Sequence, residues 1–345
     1  MELRCSARTL AEMRRGVSRA TAAGALAAAV AFTGACGPDA GGTAATSSPS
    51  ADSAVAAAGP PAVTKLSGTL FYYPSDPRGD ATVMSWAPEG VQPRAALKLA
   101  GPDALSSATF SPDGKRVAWV KSDFESGSTE LFVANVDGSD AHVLVNEADP
   151  YCVQPIWSGD GTKLLTRPAA ESSARSIDVA TAALGSFATP VEGCHVLWSA
   201  DGTTIAFSLG QAITLAKSDG TNRRNVPKLG ANGGPTRRRS HDPMSLSSDG
   251  RLLALHVLTG DTPDGDVARG VEVNEVVDTT TGETKKLPVP GELRQAYFLP
   301  PGGVVVRVKA ASGMEIALLS ADLKLITKVA EPPALASMVL LGYGG

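Results

Sequence analysis

Apolar and polar positions alternate along most of the chain in short runs that end at Asp-Gly or other glycine-rich turns. The stretch "SPDGKRVAWVKSDFESGSTELFVANVDGSDAHVL" (111–144) shows the pattern well, with two Asp-Gly turns bracketing runs of period two. Period two is the signature of strands whose successive side chains face opposite sides of a sheet. Asp-Gly supplies the positive φ that tight hairpins need. The stretch therefore reads as consecutive antiparallel strands.

It also recurs. "FSPDG" (110–114) returns as "WSGDG" (157–161), "WSADG" (198–202), "LSSDG" (246–250) and, decayed, "FLPPG" (298–302), and the closing glycines step by 47, 41, 48 and 52 residues. A strand ending in an aromatic or Leu, such as "CVQPIW", leads into each turn. A second strand follows ("RVAWV", "TIAFSL", "LLALHVL", "GVVVRV"), and then a third after a variable loop ("ELFVANV", "AITLAKS", "VEVNEVVD", "EIALLSA"). A second turn precedes a fourth strand such as "AHVLV" or "TKKLPV". Four antiparallel strands at this period make one propeller blade.

Complete blades begin near 105, 151, 194, 243 and 293. The segment 68–101 has three strands and lacks a first, while "ALASMVLLGY" (334–343) is a single strand without partners. Joining them gives an all-β fold, a six-bladed propeller of four-stranded antiparallel blades. In it the C-terminal strand is the innermost strand of the N-terminal blade and leaves no open edge.

The same residues resemble the WD40-like repeat of the TolB-type β-propellers, whose blades carry an S-P-D-G-K turn and a D-G-S turn. The resemblance spans roughly 65–345. It implies a six-bladed propeller in a periplasmic or exported bacterial protein, and it implies no particular chemistry, because similar blades occur in peptidases and sugar lyases.

The N-terminus changes the picture. Arg4, Arg8, Arg14, Arg15 and Arg19 precede "TAAGALAAAVAFTGA" (21–35), an apolar run too short to span a bilayer and closed by small residues. Residues 1–35 thus read as an export signal. "FTGAC" resembles the lipobox of bacterial lipoproteins, which implies acylation of Cys36; Thr33 stands where Leu is usual, so free secretion stays open. Residues 36–63, rich in Gly, Ala, Ser, Thr and Pro, read as a disordered tether. The propeller occupies 64–345.

Composition excludes more than it proposes. A net charge of −4 gives no global pull toward nucleic acid or anionic membrane. The 36 glycines and 24 prolines agree with many turns. Cys152 and Cys194, at the starts of successive innermost strands, are expected to form a disulfide in an oxidising compartment, with two buried thiols as the alternative.

Blade topology puts the Asp-Gly turns on one face and the between-blade connections and variable loops on the other, around the channel mouth. The candidate ligand-binding residues there are Gln154, Glu192, His195, Arg239, His241, Asp242 and Arg294, with Gln295 beside them. Two histidines and a carboxylate are chemically able to bind a metal or exchange protons. Polar residues also line any wet channel, and no HExxH or other metal spacing is present, so no metal or other cofactor is expected. Arg237–Arg239, with Arg223, Arg224 and Lys228, read either as an anion dock or as a solvated loop. Asp261, Asp264 and Asp266 imitate a calcium loop without its distal Glu. Trp157, Trp198, Phe110 and Leu246 read as packing residues.

There is no G-x-S-x-G elbow, C-x-x-C or P-loop, and the consecutive Ser240, His241 and Asp242 cannot form a triad on one strand. The expectation is a monomeric, membrane-anchored binding propeller, not an enzyme, that engages an envelope protein, peptide or cell-wall ligand and no nucleic acid. The alternative is a metal-assisted lyase or hydrolase at His195 and His241.

Overall fold

A computed structural model of the chain describes residues 63–345, apart from 78, 91, 100, 124–125, 127, 150–153, 211, 231–236, 261–272 and 301. The export signal, Cys36, nearly all of the tether, Cys152 and the Asp261–Asp266 loop lie outside the described residues. Among the described residues no helix is long and apolar enough to cross a membrane.

Six antiparallel sheets follow one another as blades. The first contains β1 (Thr69–Pro74), β2 (Ala81–Trp86) and β3 (Arg94–Leu99). A short helix, α1 (Gly101–Ser107), which the sequence pattern did not announce, leads into the second. That blade holds β4 (Thr109–Phe110), β5 (Arg116–Asp123), β6 (Ser128–Asn135) and β7 (His142–Asn146). The third has β8 (Lys163–Thr166), β9 (Arg175–Asp178) and β10 (Leu184–Gly185), with the Trp157–Leu164 bridge at its inner edge. There the Leu165 N–H donates to Ile156 O at 2.8 Å and the Ser158 N–H to Lys163 O at 2.9 Å.

The fourth blade is β11 (Cys194–Trp198), β12 (Thr204–Leu209), β13 (Ala212–Lys217) and β14 (Arg224–Asn225). The fifth has β15 (Arg238–Leu246), β16 (Leu252–Thr259) and β17 (Glu275–Asp278), and a Val277–Thr284 bridge stands for its outer strand. The sixth is β18 (Glu292–Phe298), β19 (Val304–Ala310), β20 (Gly313–Leu319) and β21 (Leu325–Ala330). The last strand, β22 (Met338–Gly344), does not extend the sixth blade; it pairs with β1 from Thr69↔Gly344 to Pro74↔Met338. The ring closes as the strand count requires.

Closure shows equally in the packing. Buried apolar side chains gather in six clusters, one between each pair of neighbouring blades. The cluster at the seam joins Leu70 and Tyr72 of the first blade, Val305, Ile316 and Leu318 of the sixth, and Leu340 and Tyr343 of β22. The fold has no single central core, because each sheet buries both faces against its neighbours.

The repeated turn has a mechanism that explains its spelling. In the second blade Ser111 Oγ donates to Asp113 Oδ1 (2.6 Å), Asp113 accepts from the Lys115 N–H (3.1 Å), and Ser111 Oγ accepts from the Arg116 N–H (2.9 Å). Ser158 with Asp160, Ser199 with Asp201 and Ser247 with Asp249 repeat the first bond at 2.6, 2.7 and 2.6 Å. Gly114 follows at φ +67°, where only glycine is unstrained. The Ser158 hydroxyl and then the Thr162 N–H hold the Asp160 carboxyl below the usual carboxylate range. A depressed folded value gives stability that is present above the unfolded value, near 4, and is lost as pH falls through the folded one. Asp160→Asn is therefore expected to flatten the acid limb of the stability profile below about pH 4; acid titrations followed by circular dichroism, superimposable for variant and wild type, would refute this.

Candidate functional site

The innermost strands of all six blades enclose a channel containing a cavity of about 470 Å³. At the Asp-Gly end its wall is a layer with one residue from each blade: Phe110, Trp157, Trp198, Leu246, Phe298 and Tyr343. Each sits at the same ladder position, opposite Val117, Leu164, Ile205, Leu253, Val304 and Leu70 in turn. The expected packing role is present as well. Phe110 stacks on Phe71 with ring centroids 3.9 Å apart, and Trp157 lies under the Arg116 guanidinium and donates Nε1–H to Thr109 O at 3.2 Å. The repeat position alone did not show that these side chains also line the cavity.

At the mouth the cavity brings together three of the expected site residues, Gln154, His195 and Asp242. His195 Nε2 lies 3.6 Å from Asp242 Oδ1, and the two side chains are only 15% and 16% exposed. They come from the innermost strands of neighbouring blades, β11 and β15, and just past the end of β11 the Ala200 N–H donates to Leu246 O at 3.0 Å.

A bulge aims each of them. On β11 the register jumps between Cys194 and Leu197, and on β15 between Arg239 and Asp242; β18 carries a similar jump between Leu293 and Gln295. An extra residue in a strand bends it and turns a side chain out of alternation. His195 takes this up at φ +50° inside β11, whereas the other non-glycine residues at positive φ among those described lie outside strands. Such a conformation in a strand is held by its surroundings and marks a position worth testing for function. Glycine reaches it without steric cost but loses more chain entropy on folding, so the two effects offset and His195→Gly is expected to change thermal stability by less than about 1 kcal/mol. A larger loss would reveal a packing role instead.

The remaining expected residues are placed elsewhere. Arg239 is 1% exposed and donates to Gly260 O at 3.4 Å, so it points into protein and not into the channel. Arg294 pairs with Glu292 at 2.8 Å, Glu192 is exposed, and neither lines the cavity. Gln295 is buried and accepts from Arg307. His241 lies on β15, and its side chain is outside the description.

The basic run is committed internally. Arg238 donates to Gly282 O (2.8 Å) and pairs with Glu275, and Arg224 donates to Thr279 Oγ1 (2.9 Å). Arg223 lies over Phe207 with its guanidinium carbon 5.4 Å from the ring centre, and Lys228 pairs with Glu283. These partners weigh against an anion dock, and they correct the solvated-loop reading as well, because Arg238 and Arg239 lie on β15 with Arg239 buried. A signal for the mouth was present in the sequence: counting back three from the blade aromatic gives Gln154 and His195, and counting back four from Leu246 gives Asp242.

No protein-family model matches the chain, and no curated protein matches it. Solved structures do. TolB from Acinetobacter baumannii is 18% identical over 75% of this chain and 63% of its own, with a TM-score of 0.50. The chain therefore spans under two thirds of that protein's length. The β-propeller domain of the Trilobed protease from Pyrococcus furiosus is 15% identical, covering 76% and 86% of the two chains, with a TM-score of 0.45. A putative TolB from Agrobacterium tumefaciens is 12% identical over 77% and 90%, with a TM-score of 0.40. The molecule is a six-bladed β-propeller. Its fold is the TolB-like one that the blade turns resemble.

Proposed function

We propose that this chain is an exported binding propeller, anchored by acylated Cys36 to the outer side of a bacterial cytoplasmic membrane. In this reading the channel-mouth face engages an envelope protein, peptide or cell-wall ligand, and secretion replaces anchoring if Cys36 is not acylated. The observation that carries it is the cavity with Gln154, His195 and Asp242 gathered at its mouth. Cavities of this size, mostly apolar with a few convergent polar groups, are the usual form of ligand sites. The lyase alternative works at His195 and His241; His195 has Asp242 beside it at 3.6 Å, and the His241 side chain lies outside the described residues.

Two supporting features belong to the same reading. A Cys152–Cys194 disulfide would tie successive innermost strands beside the mouth, and Cys194 does begin β11. Peptide mapping without reduction should yield the linked pair. Labelling with palmitate should mark the wild type and not Cys36→Ala.

The function itself is tested by cross-linking the full-length chain in intact cells and recovering what it holds. Wild type should retain a discrete partner that His195→Ala/Asp242→Asn loses at equal abundance. Identical recovery from both would overturn the mouth as the binding face.

A further inference from the structure

Below the mouth the channel wall changes character. The collar of Phe110, Trp157, Trp198, Leu246, Phe298 and Tyr343 stands three residues down from Gln154 and His195, roughly 7–10 Å along the strands. Its positions are not equivalent. Phe110 is 8% exposed and stacked on Phe71, Trp157 is 7% exposed beneath Arg116, and the Tyr343 hydroxyl accepts from the Gly68 N–H at 2.9 Å. Trp198 and Phe298, in the blades on either side of Leu246, are only half-buried. The two collar indoles also differ in their donors. Trp157 gives its N–H to Thr109 O, whereas among the described residues nothing accepts from the Trp198 N–H, and that nitrogen is not buried. Nearby polar groups are taken: Thr109 donates to Pro155 O, Tyr297 donates to Leu340 O at 2.7 Å, and Ser245 accepts from the Phe298 N–H at 2.8 Å.

We propose that the collar is a small-molecule site distinct from the mouth, one that takes a free, uncharged aromatic compound carrying a hydrogen-bond acceptor such as a carbonyl beside its ring. An accessible indole N–H is hydrated, and a ligand that displaces the water must supply an acceptor or lose that bond. The rings of Trp198 and Phe298 offer offset or edge-to-face contact that an aliphatic body of equal area does not match. His195 and Asp242 face each other at the mouth, 3.6 Å apart, and no other described residue lining the cavity is Asp, Glu, Lys, Arg or His. A charged compound at the collar would therefore lose hydration with no described charge opposite it. Gly345 lines the cavity two residues beyond Tyr343, and its N–H donates to Pro112 O at 2.8 Å. The ring contacts and the Trp198 donor are independent of any charge there. Depth favours a free molecule, because a partner resting on the mouth would have to send main chain into the channel to place a side chain at the collar. The cavity's volume, about 470 Å³, is in the range of small-molecule sites.

The chain's four tryptophans supply the readout. Trp157 and Trp198 line the cavity, while Trp86 and Trp119 are buried in packing between blades. The detergent-solubilised full-length chain, labelled with nitrogen-15 at the indole nitrogens, is titrated by NMR, with free ligand concentrations set by dialysis against the same detergent. Four probes are compared: acetophenone, ethylbenzene (ring without acceptor), cyclohexyl methyl ketone (acceptor without aromatic ring) and acetyl-Gly-Phe-Gly-amide (ring and carbonyls on a main chain). Acetophenone should shift the Trp157 and Trp198 signals and leave those of Trp86 and Trp119 in place. It should bind about three- to tenfold more tightly than ethylbenzene or the cyclohexyl ketone, as one hydrogen bond or one aromatic pair warrants. The peptide should move none of the four signals. Trp198→Phe, followed at Trp157, should bring acetophenone and ethylbenzene to equal affinity.

Ethylbenzene or the cyclohexyl ketone binding as tightly as acetophenone would overturn the assignment. So would an acetophenone preference that survives in Trp198→Phe, or signals that none of the probes moves. Peptide binding as tight as that of acetophenone would overturn the free molecule as the source of the ring. None of these outcomes decides the mouth, which the cross-linking experiment tests with variants that leave the collar intact. The comparison of probes within the wild type is decisive even if Trp198→Phe fails to fold.

Discussion

Arg307→Met is expected to cost about 3–5 kcal/mol of folding stability, the usual penalty for leaving one member of a buried ion pair without its partner. Arg307 on β19 and Glu331 after β21 have side chains 3% and 0% exposed, with Nη2–Oε1 at 2.6 Å and Nε–Oε2 at 2.8 Å. The same guanidinium donates to Met338 O at 2.8 Å and Leu335 O at 3.1 Å, and Tyr72 on β1 donates its hydroxyl to Glu331 at 3.1 Å. One buried cation therefore ties the sixth blade to the strand that closes the first. Burial pushes the Tyr72 hydroxyl well above its ordinary value, and the Glu331 charge adds to the effect.

Burial likewise raises the Glu331 carboxyl, against the pull of Arg307. A carboxyl raised in the folded state contributes stability that is full below its unfolded value and lost as pH rises through the folded one. Without Arg307 that contribution dominates, so Arg307→Met should be more stable at pH 5 than at pH 8. Arg307→Met/Glu331→Leu should recover most of the loss, because replacing both charges removes the stranded one. Urea unfolding of the three proteins at both pH values checks this. A single variant within 1 kcal/mol of wild type at pH 8 would mean the pair is not buried as described.

The second large effect concerns β22. Leu340 is fully buried in the seam between the sixth and first blades, and Leu340→Ala is expected to cost about 2–5 kcal/mol. Removing 338–345 outright would strip Val339, Leu340, Leu341 and Tyr343 from the packing, about 1.5–3 kcal/mol for each aliphatic side chain. That loss is comparable to the whole stability of an ordinary domain, and it would expose β1 as an unpaired edge prone to association. The truncated chain should be recovered aggregated or without a cooperative melt. Leu325→Ala, on the outer strand of the sixth blade and 43% exposed, should change stability by less than about 0.5 kcal/mol. A truncated chain that melts cooperatively like wild type would remove β22 from any closing role.

Much of this architecture was legible because it is written locally. Each Ser-x-Asp-Gly turn is specified by its own side chains, as the Ser111 and Asp113 bonds show, and four such copies with a decayed fifth, 41 to 52 residues apart, fix the blade repeat. Closure followed from counting strands, since a lone C-terminal strand and a blade short of one have a single mutual solution. The third blade's innermost strand was less legible: "CVQPIW" reads as a strand, whereas among the described residues it pairs with β8 through the Trp157–Leu164 bridge.

The site was legible only in part, for a physical reason. Strand alternation says which residues share a face, but a bulge breaks alternation at the point where the chain turns toward the channel. His195 and Asp242, 47 positions apart in sequence, meet because β11 and β15 both carry such a bulge. Arg239 stands three residues before Asp242 yet turns into protein for the same reason. The Arg307–Glu331 pair was hidden differently. Arg307 sits within the apolar run "GVVVRV", where one charged residue gives no sign of a buried partner 24 positions on.

The claim that the channel mouth is the binding face is tested most directly by placing a photoreactive amino acid at single positions of the full-length chain in living cells. One position is Gln154 at the mouth, and the other is Ile326 on the outer strand of the sixth blade, 36% exposed. Irradiation should give a discrete adduct from position 154 and none from 326. An adduct from 326 alone, or the same adduct from both, would move the binding surface off the channel.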